Sequence, residues 1–116
     1  MATIYTQAGE EVVVDAIETQ LAPYIGWGTG AGTAAKGDTD LFTPAAEARE
    51  VGVETQPLAD KNQWVATLTS ASAQTITNAG LFDAITTGNL VIHGDFTGIA
   101  LAIGDKIEFT ITLEQT

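Results

Sequence analysis

Lys106-Ile107-Glu108-Phe109-Thr110-Ile111-Thr112-Leu113-Glu114 closes the stretch, from Asn62 onward, whose reading decides the fold. Ile107, Phe109, Ile111 and Leu113 alternate with Lys106, Glu108, Thr110, Thr112 and Glu114, the pattern of a strand with one wet face. The same period of two runs through Trp64, Ala66 and Leu68, through Ile76, Asn78, Gly80 and Phe82, and through Leu90, Ile92, Gly94 and Phe96. Turn-forming residues separate the runs, which predicts a layered antiparallel sheet. Asn78 and Gly80 interrupt their strand and predict a bulge there. The apolar Ile99-Ala100-Leu101-Ala102-Ile103 is expected to cross between sheets under cover, leading to the Gly104-Asp105 turn.

Working outward to the N-terminus, the period changes. Val13, Ile17 and Leu21 recur every four residues, Glu10 and Glu11 suit a first helical turn, and Gly9 and Pro23 flank the segment. A short amphipathic helix over 10–20 follows, against a competing strand reading of Val12-Val13-Val14. Residues 1 to 8, with Ile4 and Tyr5, alternate weakly and read as an edge strand or, the preferred reading, as an extended arm that orders only against a neighbour. Glu47 to Gln56 reads as a strand with Val51, Val53 and Thr55 on one face, returning through a Pro57–Lys61 turn. The fold class expected is mainly β, an antiparallel β-sandwich of jelly-roll or immunoglobulin-like kind with one short N-terminal helix, and 1–116 form a single domain.

Composition narrows function by exclusion. Fifteen acidic residues face Lys36, Arg49, Lys61 and Lys106, a net charge of −11 that repels phosphate backbones and anionic membranes. Neither nucleic acid nor a membrane is expected as a partner. Residues 1 to 60 hold ten acids and two bases, so −8 of the −11 lies there, the better side for a basic partner. Without cysteine there is no thiolate nucleophile and no zinc-thiolate site. The N-terminus lacks the basic start and apolar run of a secretion signal, so a soluble protein made in the cytoplasm is expected.

Candidate chemistry is sparse. Gly28-Thr29-Gly30-Ala31-Gly32 fails the dinucleotide fingerprint because position 33 is Thr, and no Gly-Lys-Ser/Thr follows. Asp38-Thr39-Asp40 supplies two oxygens of a calcium loop without the rest, and reads as a solvated turn, with a bound ion there left open. His93 shares a strand face with Val91 and Asp95, which invites a Ser-His-Asp reading, but Ser70 and Ser72 sit in a plain turn with no elbow motif. An exposed pair on the wet side of a sheet is the simpler reading. No metal spacing is present, no cofactor is expected, and the chain is read as a non-enzyme. Trp64 is in phase with the core; Trp27, beside the glycine turn, is the candidate for a surface role. Leu41-Phe42, a large apolar pair among turn residues, either folds back or meets a partner. Ile4, Tyr5, Trp27 and Phe42 are the candidate interface residues.

Tyr24-Ile25-Gly26-Trp27-Gly28-Thr29-Gly30, then Ile76-Thr77-Asn78-Ala79-Gly80-Leu81-Phe82-Asp83-Ala84, then Gly104-Asp105 before the last strand, resemble a group of small bacteriophage virion proteins. The likeness spans roughly Tyr24 to Leu113. It is to capsid decoration (cement) proteins and to head- or tail-fibre modules. It implies a structural protein of the virion that binds and stabilises a capsid, with the major capsid protein or another virion protein as partner and no catalytic residues. Homo-oligomers, trimer or dimer, would bury exposed β edges. The alternative is a receptor- or carbohydrate-binding module of a phage fibre.

Overall fold

The computed structural model describes residues 3, 4 and 6–114. Helix α1 (Gln7–Gln20) begins three residues before the predicted start because Thr6, not Gly9, caps it: the Thr6 hydroxyl accepts the Gly9 N–H at 3.1 Å. The expected arm is shortened accordingly, since Gln7 and Ala8 are helical. Pro23 cannot continue the helix, and Leu21 closes it with an N–H to Ile17 O. Val14 is fully buried, and Ile17 and Leu21 pack beside the core.

Seven strands follow: β1 (Tyr24–Gly28), β2 (Glu50–Val51), β3 (Val53–Leu58), β4 (Lys61–Thr69), β5 (Gln74–Phe82), β6 (Leu90–Leu101) and β7 (Lys106–Glu114). They form two antiparallel sheets, β2-β1-β5-β6 and β3-β4-β7, a β-sandwich whose strand order differs from the ABED and CFG sheets of an immunoglobulin domain. Between them lie Ile25, Trp27, Trp64, Ala66, Leu68, Ile76, Leu81 and Leu101, with Ile107, Phe109, Ile111 and Leu113 from β7 completing the layer. Trp27 meets Phe109 edge-on at 6.1 Å between centroids, the geometry that aromatic quadrupoles favour.

The chain passes from one sheet to the other at Gly52, whose buried N–H bonds Pro23 O at 2.8 Å. Past that switch the faces run against simple expectation. Val51 and Val53 are 60% and 67% exposed, whereas Glu54 and Gln56 are half-buried. Packing near α1 explains Gln56, whose Nε2 donates to Asp15 Oδ1 at 3.0 Å and to Glu18 Oε2 at 3.1 Å. Asn62 Nδ2 adds a buried bond to Val14 O at 2.9 Å, so polar groups as well as apolar ones fasten the helix.

The bulge expected at Asn78 and Gly80 is not there: those residues pair regularly with Asp95 and His93, and the register shifts between Ile76 and Asn78 and between Leu81 and Phe82 place the extra residues on β6, at 96–98 and at Val91. The apolar run 99–103 is not a covered crossover. Residues 99–101 extend β6, Ile99 and Ile103 are 42% and 75% exposed, and the change of sheet occurs at 102–105. No helix among the described residues is long and apolar enough to cross a membrane.

Candidate functional site

Both faces of β1 and of the second half of β5 are buried, which a two-layer sandwich does not require. The extra cover comes from the long connection between β1 and β2, laid over the outer face of the four-stranded sheet. It turns back on β1 through Thr29 N to Thr43 O and Gly30 N to Phe42 O, each 2.9 Å, and through a bridge between Gly28 and Pro44.

Glycines make the seat. Gly26 pairs with Gly80 and Gly28 with Asn78 across β1 and β5. A Cβ on Gly80 would come within 2.7 Å of Leu90 Cδ1, 2.9 Å of Ile92 O and 3.1 Å of Leu41 Cδ2. Leu41, only 7% exposed, therefore rests where these strands carry no side chain. Gly28 and Gly30 do not have positive φ, so close approach, not an unusual backbone conformation, is what they provide.

Polar side chains then fix the loop in place. Asn78, fully buried, accepts the Phe42 N–H on Oδ1 at 3.0 Å and donates from Nδ2 to Phe42 O at 3.1 Å. These two backbone groups orient its amide, so Oδ1 is the atom facing His93 Nε2 at 3.0 Å. His93 Nδ1 lies 2.7 Å from Asp38 Oδ2 in the loop, and the ring packs on Phe42 at 4.6 Å. Both ring nitrogens thus face side-chain oxygens, one of the loop and one of β5. Asp38 also accepts the Ala35 N–H at 2.8 Å; that bond first, and the one from His93 second, hold its carboxyl below the usual carboxylate range. Asp95 accepts the Ala34 N–H at 2.8 Å.

Two further residues complete the fastening. Glu47 accepts from Trp27 Nε1 at 3.0 Å, from Ala71 N at 2.9 Å and from Gln74 Nε2 at 2.7 Å. Burial pushes its carboxyl up, but these donors outweigh it and hold it lower than ordinary. Arg49 lays its guanidinium 3.4 Å from the Phe82 ring centroid and donates to Ala84 O at 2.8 Å and Thr87 O at 2.7 Å.

The structure corrects the expectation for His93. It is not an exposed partner of Asp95: its side chain is 4% exposed, and Asp38, 55 residues away, is the carboxylate it meets. Neither ring nitrogen faces a hydroxyl, and Ser70 Oγ donates to Ser72 O instead. Asp38 and Asp40 each serve backbone N–H groups, of Ala35 and Leu41, and no cluster of three or more His, Cys, Asp or Glu is assembled among the described residues. A hollow of ≈ 350 Å³ beside the site, reached by Lys36, Asp38 and His93, opens between the loop and the start of β6.

Of the candidate interface residues, Ile4, Trp27 and Phe42 are not brought together. Ile4 is 85% exposed, and Tyr5 lies outside the described residues. Trp27 is corrected as a surface residue: it is 1% exposed, its ring in the core and its indole N–H spent on Glu47. Phe42 folds back, half-buried, on the opposite side of the sheet from Trp27. Sequence reasoning missed Glu47, Arg49 and Asn78 as fastenings. The available signal was the conjunction of strand glycines at 26, 28 and 80 with an apolar Leu41-Phe42 pair in a polar loop. Comparison with family models, with characterised proteins and with solved structures yields no match.

Proposed function

We propose that this chain is a structural virion protein that binds and stabilises a bacteriophage capsid, with the major capsid protein or another virion protein as its partner and no catalysis of its own. One observation carries the reading. The polar residues best suited to chemistry, His93, Asp38, Asn78 and Glu47, are spent on holding the 29–49 loop against the sheet. A loop pinned in this way presents a shaped surface before any partner arrives, so little ordering entropy opposes binding. Many weak copies on a lattice then add up to firm attachment. The resemblance of the Tyr24–Gly30 and Ile76–Ala84 segments to phage virion proteins supplies the class of partner.

A glycan-binding fibre module would need an exposed ring on which a sugar could stack. Trp27 is buried, and one side of Phe42 is taken by His93. The decoration reading is tested by mixing the purified chain with expanded empty phage shells. Co-sedimentation with saturable stoichiometry and a rise in shell melting temperature are expected; a chain that stays in the supernatant at every ratio overturns the assignment.

A further inference from the structure

Helix α1 distributes its charge in an unusual way. At about 100° per residue, Ala8, Gly9, Val12, Val13, Ala16, Thr19 and Gln20 fall on one arc of about 140° without a single charge. Glu10, Glu11, Asp15 and Glu18 all fall on the remainder, the part that includes the buried Val14 and the contacts to Gln56. Asp15 and Glu18 still reach water at the flanks of that remainder, so it is the outermost arc that is left without a charge. Here the water-facing side carries Val12 at 67% exposure and Val13 at 36%. It continues into a groove of ≈ 350 Å³ between the helix and Val91 of β6, itself 44% exposed; no charged residue lines that groove.

We propose that this uncharged side of α1, together with Val91, is where a second copy of the chain docks, the two helices packing antiparallel about a two-fold axis. The partner is argued from charge. Each copy carries −11, so two copies repel wherever their carboxylates approach, and a surface on which they can meet must be free of acid. This side of α1 is such a surface, although the helix bears four acids and no base. A two-fold contact is self-complementary, so the requirement is met on both halves at once. Small residues at Gly9 and Ala16 let the helices approach closely, and Val12 of each copy then sets against Ala16 of the other.

The test uses the chain alone, without shells, so its result is separate from that of the capsid-binding reading. Sedimentation equilibrium should find a species of twice 12.0 kDa. Its Kd should tighten at least threefold when salt is raised from about 0.05 to 0.5 M, because screening removes the repulsion between copies. Val12→Glu and Ala16→Glu, both at exposed positions, should each weaken association tenfold or more while leaving the circular dichroism spectrum unchanged. Glu18→Lys, on the other side of the helix, should not weaken it. A monomer at both salts, or a dimer indifferent to Val12→Glu and Ala16→Glu, overturns the proposal. Tight binding of a basic peptide that salt weakens, with no self-association, would assign the groove to a different occupant and overturn it equally.

Discussion

Truncating Asn78 to alanine should loosen the loop without dissolving the sandwich, and the size of the effect can be worked bond by bond. The donor half of the amide is backed up: Phe42 O still accepts from Gly30 N at 2.9 Å, and the Thr77 hydroxyl still donates to Gly30 O. The acceptor half is not. Loss of Oδ1 strands the Phe42 N–H in a half-buried residue and His93 Nε2 in a side chain that is 4% exposed. A partly wetted backbone donor costs about 1 kcal/mol, and a buried ring nitrogen left without its partner about 1–3 kcal/mol. The total is about 2–4 kcal/mol, or roughly 8–16 °C in Tm for a domain of this size. Urea unfolding measures the first and thermal denaturation the second. Because most of the cost sits on His93, the same substitution in a His93→Ala background should be cheaper by about 1–2 kcal/mol. The Phe42 amide should also exchange with solvent faster, while amides of β4 and β7 keep their protection. A loss under about 1 kcal/mol, or full additivity with His93→Ala, would refute the claim that this amide fastens the loop.

Glu54→Gln should stabilise the protein at neutral pH. Burial first, and the nearby Glu18 second, hold the Glu54 carboxyl above its ordinary range, so the ionised form opposes folding. Buried Glu54 Oε2 and Trp64 Nε1 lack hydrogen-bond partners although the residues pair across β3 and β4; even so, the indole partly favours the ionised carboxyl. After allowance for screening, a gain of about 0.5–1 kcal/mol is expected at pH 7, shrinking towards zero below about pH 4 as both folded and unfolded carboxyls protonate; a variant less stable than the parent at pH 7 would count against this. Asp38, Glu47 and Asp83 shift the other way, Asp83 because the backbone N–H and side-chain amide of Asn89 bond it. A depressed carboxyl adds stability above its unfolded value that is lost as pH falls through its folded value. Thermal scans should therefore show Tm falling steeply below about pH 4, and a Tm that is flat or rising down to about pH 2.5 would contradict these assignments.

How much of this was legible in the sequence depended on how many sides of each strand are covered. β7 and β4 were read correctly because one face of each points to water: Lys106, Glu108, Thr110, Thr112 and Glu114 are exposed while the residues between them are half-buried. Alternation reports burial on one side only. Once the 29–49 loop covers the outer face of the other sheet, Asn78, Gly80 and Phe82 are as buried as Ala79 and Leu81, and a period of two no longer says which set faces the core. Both sets were legible as strand, but not as layers. The His93–Asp38 contact had no local signature, because its members are 55 residues apart and the bulges in β6 shift the register on either side of His93.

The same asymmetry bears on which surface does the protein's work. The outer face of the β3-β4-β7 sheet bears threonines and charges of both signs along β7, an ordinary solvated face that needs no partner to explain it. Away from β7, large exposed apolar residues stand at Val51 and Val53 beside the sheet switch, at Leu58 ending β3, at Val12 and Val13 on the helix, and at Val91, Ile99 and Ile103 along or just past β6. β6 is also an edge strand of twelve residues with Asp95 as its only charge, without the proline or lysine that usually guards such an edge. Strands left this open either aggregate or find a neighbour. A −11 charge opposes indiscriminate association at long range, while the uncharged helix side and the bare edge of β6 leave a restricted place where contact costs little. On the proposed reading, charge selects where a partner touches this molecule, and the apolar residues it spares determine how firmly.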